Sequence, residues 1–179
     1  MNVIVLHGSM RKNENTGLLS DEFLRGAADC GHTVEKIELK DKRINDCLGC
    51  AACQKNGGIC VQQDDMAEIY EKMRAADVIA LACPVYFYTW TSLMKRMIDR
   101  TFAIEKSLTH KKFYLISAAA APDEECAQSI VDAFRQYIGC FCGEGNAVGG
   151  WVIGCNTRLP GDVTGSPAMM QAYSLGNRI

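Results

Sequence analysis

The chain has 179 residues, with 19 Lys plus Arg against 21 Asp plus Glu and a formal net charge of −2. That length suits one domain with a sizeable core, and the lack of a basic excess argues against nucleic-acid or anionic-membrane partners. No apolar run approaches the ~20 residues that span a bilayer, and no secretory signal opens the chain, so a cytoplasmic setting is expected in which the ten cysteines form no disulfide framework.

Residues 2–7, NVIVLH, are short and β-branched and run into Gly8, the pattern of a buried parallel strand. After the polar segment 8–17, residues 16–30 set Leu19, Phe23 and Ala27 on one helical face, with Gly31 at the C-terminus. Residues 33–39 alternate as an edge strand, and residues 41–63 show no periodicity. Asp65, with Glu68 three positions on, predicts a capped helix running to about Ala76. DVIALA (77–82) reads as a second buried strand. A helix over 91–104 would bury Leu93, Met94, Met97, Ile98 and Phe102. FYLISA (113–118) is a third buried strand, and Pro122 suits the first turn of a helix carrying Ala127, Ile130, Val131, Phe134 and Ile138. AVGGWVI (147–153) reads as the last central strand, and Ser166 with Pro167 opens a terminal helix ending near Gly176.

Strand alternating with helix predicts an α/β fold, a doubly wound five-stranded parallel sheet covered on both faces. Residues 1–179 are expected to form one domain with a cysteine-rich loop at 44–63. Ligands on such sheets bind outside the carboxyl ends of the strands, so the segments after the buried strands carry the candidate sites. The first, GSMRKNENTG, offers Ser9, Arg11, Lys12, Asn13, Asn15 and Thr16 at a helix N-terminus, where a phosphate is favoured. A polar connection with a threonine cap would use the same residues. The second, CPVYFYTWT (83–91), suits a wall against a planar ring, or a packing surface. Ser117, Ala118, Ala119 and Ala120 are small enough for their backbone to approach a flat ligand.

Cys47, Cys50, Cys53 and Cys60 follow C-x2-C-x2-C-x6-C, a spacing that suits an iron–sulfur cubane better than the paired cysteines of structural zinc. Free thiols are the plainer reading. The other six cysteines, Cys30, Cys83, Cys126, Cys140, Cys142 and Cys155, are expected to behave as small buried hydrophobes. His7, His32 and His110 lie beside no nucleophile and read as structural or solvated.

The 8–16 loop resembles the G-S-P-R-K-x-G-N-T phosphate loop of the NAD(P)H-dependent FMN reductase and iron–sulfur flavoprotein family, with Met10 for proline and Glu14 for glycine. Pro84, Val85, Tyr86 and Phe87, then Lys95, Ile98, Asp99 and Arg100, match a second family motif, with Cys83 for serine. The resemblance implies a flavodoxin-like sheet of order 2-1-3-4-5. It implies FMN phosphate on Ser9, Arg11, Asn15 and Thr16, with Lys12 and Asn13 as further candidates. Pro84–Phe87 would then contact the isoalloxazine, and N–H groups at 117–120 its pyrimidine edge, while Lys95 and Asp99 remain a solvated pair. By the same resemblance the four clustered cysteines hold a [4Fe–4S] centre.

The function so implied is an FMN-dependent NAD(P)H oxidoreductase of the FMN or quinone reductase type, in which the flavin supplies the chemistry and no catalytic side chain is required. A second reading is an electron carrier using FMN and the cluster; a third, from another class, is a metal-binding or redox-sensing module. The expected partners are a nicotinamide cofactor and a small-molecule or protein electron acceptor, with no nucleic acid and no membrane. A homodimer or larger homo-oligomer is expected, with exposed Tyr86, Phe87, Tyr88 and Trp90 and the cysteine loop near the contact.

Overall fold

The computed structural model describes residues 1–12 and 14–179. Its centre is three apolar strands, β1 (Asn2–His7), β3 (Val78–Pro84) and β4 (Lys112–Ala118), buried along almost their whole length. β2 (Thr33–Glu38) and β5 (Ala147–Gly154) flank them in an all-parallel sheet of order β2-β1-β3-β4-β5. The alternation of the pleat sends Val3, Val5, Val78 and Ala80 to one face and Ile4, Leu6, Ile79 and Leu81 to the other. The first face is covered by α1 (Asn15–Asp29) and α6 (Pro167–Asn177). The second is covered by α3 (Met66–Ala75), α4 (Ser92–Arg100) and α5 (Gln128–Gly139). A single helical turn, α2 (Ala52–Lys55), lies within the cysteine-rich segment.

Several local expectations are corrected. The 147–153 run is an edge strand rather than a central one. Its glycine has a packing reason: a Cβ on Gly149 would lie 2.3 Å from Cζ of Tyr114. The capping box at Asp65 does not form, because its carboxylate accepts from the Arg43 amide while Asp64 accepts from Met66 N. The 91–104 helix ends at Arg100 and tightens into a 3-10 turn at 101–103, which turns Phe102 outward at 44% exposure. Pro122 lies outside α5: Asn156 Nδ2 holds its carbonyl and Asp123 caps Cys126 N, so the chain stays in a turn until residue 125. Trp90 is buried, and of the six scattered cysteines only Cys83 is fully buried, since the others fall at helix ends and loops. Among the described residues no helix is long and apolar enough to cross a membrane.

The two helices on the first face touch backbone to backbone. A Cβ on Gly176 would sit 1.9 Å from the Phe23 carbonyl oxygen, and one on Gly26 2.2 Å from that of Tyr173. Overpacking of this kind costs about 1–3 kcal/mol. Gly139 differs: its φ is ordinary, and among the described residues nothing lies within 4 Å of the place a Cβ would take. In urea denaturation Gly176→Ala should lower the midpoint, whereas Gly139→Ala should leave it unchanged or slightly raised, by up to ~1 kcal/mol of helix propensity.

Candidate functional site

The carboxyl ends of β1, β3 and β4 open onto a cleft of about 310 Å³. Arg11, Glu14 and Asn15 form one end, Pro84, Val85 and Tyr86 a side, and Ala118, Ala120, Thr157 and Arg158 the rest. The loop after β1 is tethered at its root, where Gly8 N donates to Ala82 O and Thr91 Oγ1 donates to Gly8 O, both at 2.7 Å. Ser9 is buried and its Oγ accepts from Arg11 N at 3.3 Å. The Arg11 and Lys12 side chains are exposed, and Lys12 borders a neighbouring polar groove with Lys36 and Lys40 rather than the cleft. Asn13 lies outside the described residues. Asn15 is engaged elsewhere: its Nδ2 donates to Leu159 O at 2.9 Å and its Oδ1 accepts from Val163 N at 3.1 Å, which clamps the loop after β5. Thr16 is fully buried, and its hydroxyl has no partner among the described residues.

The α1 N-terminus already carries an anion. Glu14 is its N-cap, with carboxylate oxygens accepting from Thr16 N at 2.9 Å and Gly17 N at 2.7 Å. The same carboxylate meets His7 Nε2 at 2.8 Å, and His7 Nδ1 meets Glu38 at 2.8 Å. Burial acts to raise both carboxyl pKa values, but the hydrogen bonds outweigh it. For Glu14 these come from His7 and the two amides, and they hold the carboxyl below its usual range. For Glu38 they come from Lys40 and His7, and they bring it down to about 2. Reading His7 from its sequence neighbours as merely structural misses this linked trio; its signal is His7 and Glu38 at paired positions of adjacent parallel strands, with Glu14 capping the helix that follows.

The aromatic segment divides. Val85 N donates to Ala118 O at 2.9 Å, which holds Pro84–Tyr86 against the cleft. Tyr86 and Thr89 then exchange two backbone hydrogen bonds across a tight turn with Phe87 at φ +48° and Tyr88 at φ +67°. Such turns favour glycine and asparagine, so two aromatics there hold strained backbone. Phe87 is 98% exposed and does not line the cleft. Ser117 does not line it either: its hydroxyl donates to Cys83 O within the sheet, at 2.6 Å. Ala119 is buried and joins Gly154 O, leaving Ala118 and Ala120 at the surface of the cleft. No sequence motif singles out Thr157 and Arg158; their position after the last strand is the available signal. Lys95 and Asp99 form an exposed ion pair on α4.

Cys47, Cys50, Cys53 and Cys60 all border one small cavity of about 30 Å³. That is about the volume of one water. Among the described residues no three His, Cys, Asp or Glu side chains are arranged to hold a metal ion. The residue types nevertheless suit a soft metal centre: all four cysteines border one cavity, and Cys53 is pushed up by burial and by Cys60 and Cys50 near it. Left-handed backbone at Gly49, Ala51, Gly57 and Gly58 folds the loop over the cavity. Buried Cys83, pushed up to about 12 by desolvation, is no nucleophile.

The NADPH-dependent FMN reductase family model matches residues 1–149. An iron–sulfur flavoprotein of Archaeoglobus fulgidus is 31% identical over 183 residues, covering 100% of this chain and 79% of its own length. An iron–sulfur flavoprotein of Methanosarcina thermophila is 30% identical over 156 residues, covering 84% of this chain and 81% of its own. Among solved structures, the NAD(P)H:quinone oxidoreductase of Methanothermobacter marburgensis superposes with a TM-score of 0.72 at 18% identity, covering 99% of this chain and 94% of that one.

The carboxylates around His7 imply a definite acid response. A group whose folded pKa is depressed stabilises the fold above its unfolded value and loses that contribution as pH falls through the folded one. Stability should therefore decline as pH drops from 4.5 toward about 2, the interval between the ordinary and folded values of Glu38. Chemical denaturation at stepped pH should show a shallower decline in Glu38→Gln; an identical decline would remove Glu38 from the account.

Proposed function

Because this chain belongs to the NADPH-dependent FMN reductase family and is an FMN-dependent NAD(P)H oxidoreductase, we propose the following division of work among its residues. FMN, when bound, supplies the acceptor for hydride from the nicotinamide and the donor for the onward electrons. Pro84, Val85 and Tyr86 wall its ring on one side, and Ala118 and Ala120 present backbone to the pyrimidine edge. Ser117 and Ala119 shape that turn from beneath. Arg11, Ser9 and the Thr16 hydroxyl meet the phosphate, Asn15 holds the surrounding loop, and Lys12 lies at the periphery. The observation that carries this reading is the Thr16 hydroxyl, buried in the first turn of α1 without a partner among the described residues, on the same loop-to-helix junction as Arg11, which lines the cleft. Buried hydroxyls are ordinarily bonded, so an acceptor belongs there.

Glu14 sets the affinity. Its carboxylate holds the two helix amides that would otherwise favour phosphate, and its charge repels a dianion. The proposed site therefore binds the phosphate through side chains rather than through the helix end. The whole of 1–179 works as one flavin-binding unit in a cytoplasmic homodimer. The strained turn of Tyr86, Phe87 and Tyr88 forms the contact, so that exposed Phe87 reaches a flavin only across the interface. Its partners are the nicotinamide cofactor and a small-molecule or protein electron acceptor.

A further feature of the reading is an iron–sulfur centre, favoured by the convergence of all four clustered cysteines on one cavity. Cys47, Cys50, Cys53 and Cys60 would hold a [4Fe–4S] group, with the left-handed glycines allowing the loop to widen around it. The two relatives named iron–sulfur flavoproteins support the same assignment.

Two measurements test these assignments. In flavin titrations, Arg11→Ala with Thr16→Ala should weaken FMN far more than riboflavin, whereas Glu14→Gln should tighten FMN about tenfold, or 1.4 kcal/mol, with little change for riboflavin. Equal effects on both flavins would sink the phosphate assignment. Anaerobic reconstitution with iron and sulfide should give about four irons per chain. Cys50→Ser should lose the iron but keep FMN, and Cys126→Ser should keep both. Wild-type protein that stays iron-free while oxidising NAD(P)H would leave a plain flavin reductase.

A further inference from the structure

The wall of the cysteine cavity contains a buried charge. Arg100, the last residue of α4, has a side chain 1% exposed, and its partner Asp64 is wholly buried. A buried ion pair persists when its remaining donors and acceptors are met. Nη1 of Arg100 donates to Asp64 Oδ2 at 2.6 Å and to Asn45 O at 2.9 Å. Nη2 donates to Asp64 Oδ1 at 3.0 Å and to Sγ of Cys60 at 3.5 Å. Those bonds use four of the five N–H groups of a guanidinium. The fifth, on Nε, is buried and has no partner among the described residues. Arg100 and all four clustered cysteines border the same cavity.

An unused N–H on a buried cation, in the wall of a cavity that four cysteines border, is where a sulfur acceptor belongs. We propose that Arg100 tunes the iron–sulfur group: its Nε–H donates to a sulfur of that group and Nη2–H to Cys60, while Asp64 offsets its charge. This rests on reading the four cysteines as cluster ligands. Reduction adds negative charge to such a group. N–H donors and nearby positive charge favour the reduced form and raise the potential, and a nearby carboxylate lowers it. Arg100 and Asp64 therefore act with opposite sign, and a merely structural pair would not.

The test uses the full chain, reconstituted anaerobically with iron and sulfide and titrated for its one-electron potential by electron paramagnetic resonance. Arg100→Gln with Asp64→Asn replaces the pair by neutral groups of similar shape. It should keep iron and FMN yet lower the potential by about 59 mV, a tenfold change in the reduction equilibrium. Asp64→Asn alone should raise the potential. Arg100→Lys keeps the ion pair but has no Nε–H, so it should lower the potential while FMN content stays normal. The flavin potential in the same titration should not move. Iron retained at an unchanged cluster potential in these variants would overturn the tuning role alone. Loss of iron from both Arg100 variants with FMN retained would reassign Arg100 to holding the loop. A wild-type chain that takes up no iron would overturn the cluster reading, and this proposal with it.

Discussion

The central strands β1, β3 and β4 are buried on both faces, and that constraint orders the rest of the molecule. A strand covered on both sides has no room for unpaired polar groups along its length, so the chain must gather them at the strand ends. The β1 loop, the Pro84–Tyr86 segment and the Ala118–Ala120 turn all leave the sheet at its carboxyl edge, and they meet across one cleft. The tethers that define its floor, Gly8 to Ala82 and Val85 to Ala118, extend the sheet's own hydrogen-bond ladder by a residue. The cleft is thus held by the framework rather than by the loops that line it, a sound basis for orienting a rigid planar cofactor.

The same parallel pairing brings His7 beside Glu38, its neighbour across the β1–β2 ladder, and aims its other nitrogen at Glu14. Glu14 is then fixed as the cap of α1, and the helix dipole is answered from within the chain. A loop built to attract an anion therefore contains one.

On the opposite face the cysteine segment has little core of its own. Its anchorage is polar: Asp64 accepts from Asn45 N, and Arg100 donates to Asn45 O and to Asp64, so both roots of the loop are joined to the end of α4. Gln54 adds a bond to Phe102 O at 2.9 Å. These contacts gather where α4 ends at Arg100 and Phe102 turns outward, against the helical periodicity.

Much of this was legible in the residues. The β-branched runs at 2–7, 77–82 and 113–118 determined buried parallel strands, because only a covered strand tolerates continuous apolar side chains. Helical spacing located α1 within a residue and the bodies of α4 and α5, though not the end of α4 or the start of α5, and the Gly8–Thr16 and Pro84–Phe87 motifs identified the flavin family. What periodicity could not carry was any partner distant in sequence. Asn15 has the composition of a phosphate ligand, yet it is spent on Leu159 and Val163, which approach only when the fold closes. Asp65 had the spacing of a cap, yet the Arg43 amide competed for it. Phe87 belongs to a segment whose motif implied contact with a flat ring, but the turn geometry points it into solvent. Local pattern reports propensity and burial, which are properties of a segment. Hydrogen-bond allegiance is settled by competition among groups on different segments, and only the tertiary structure brings those competitors together.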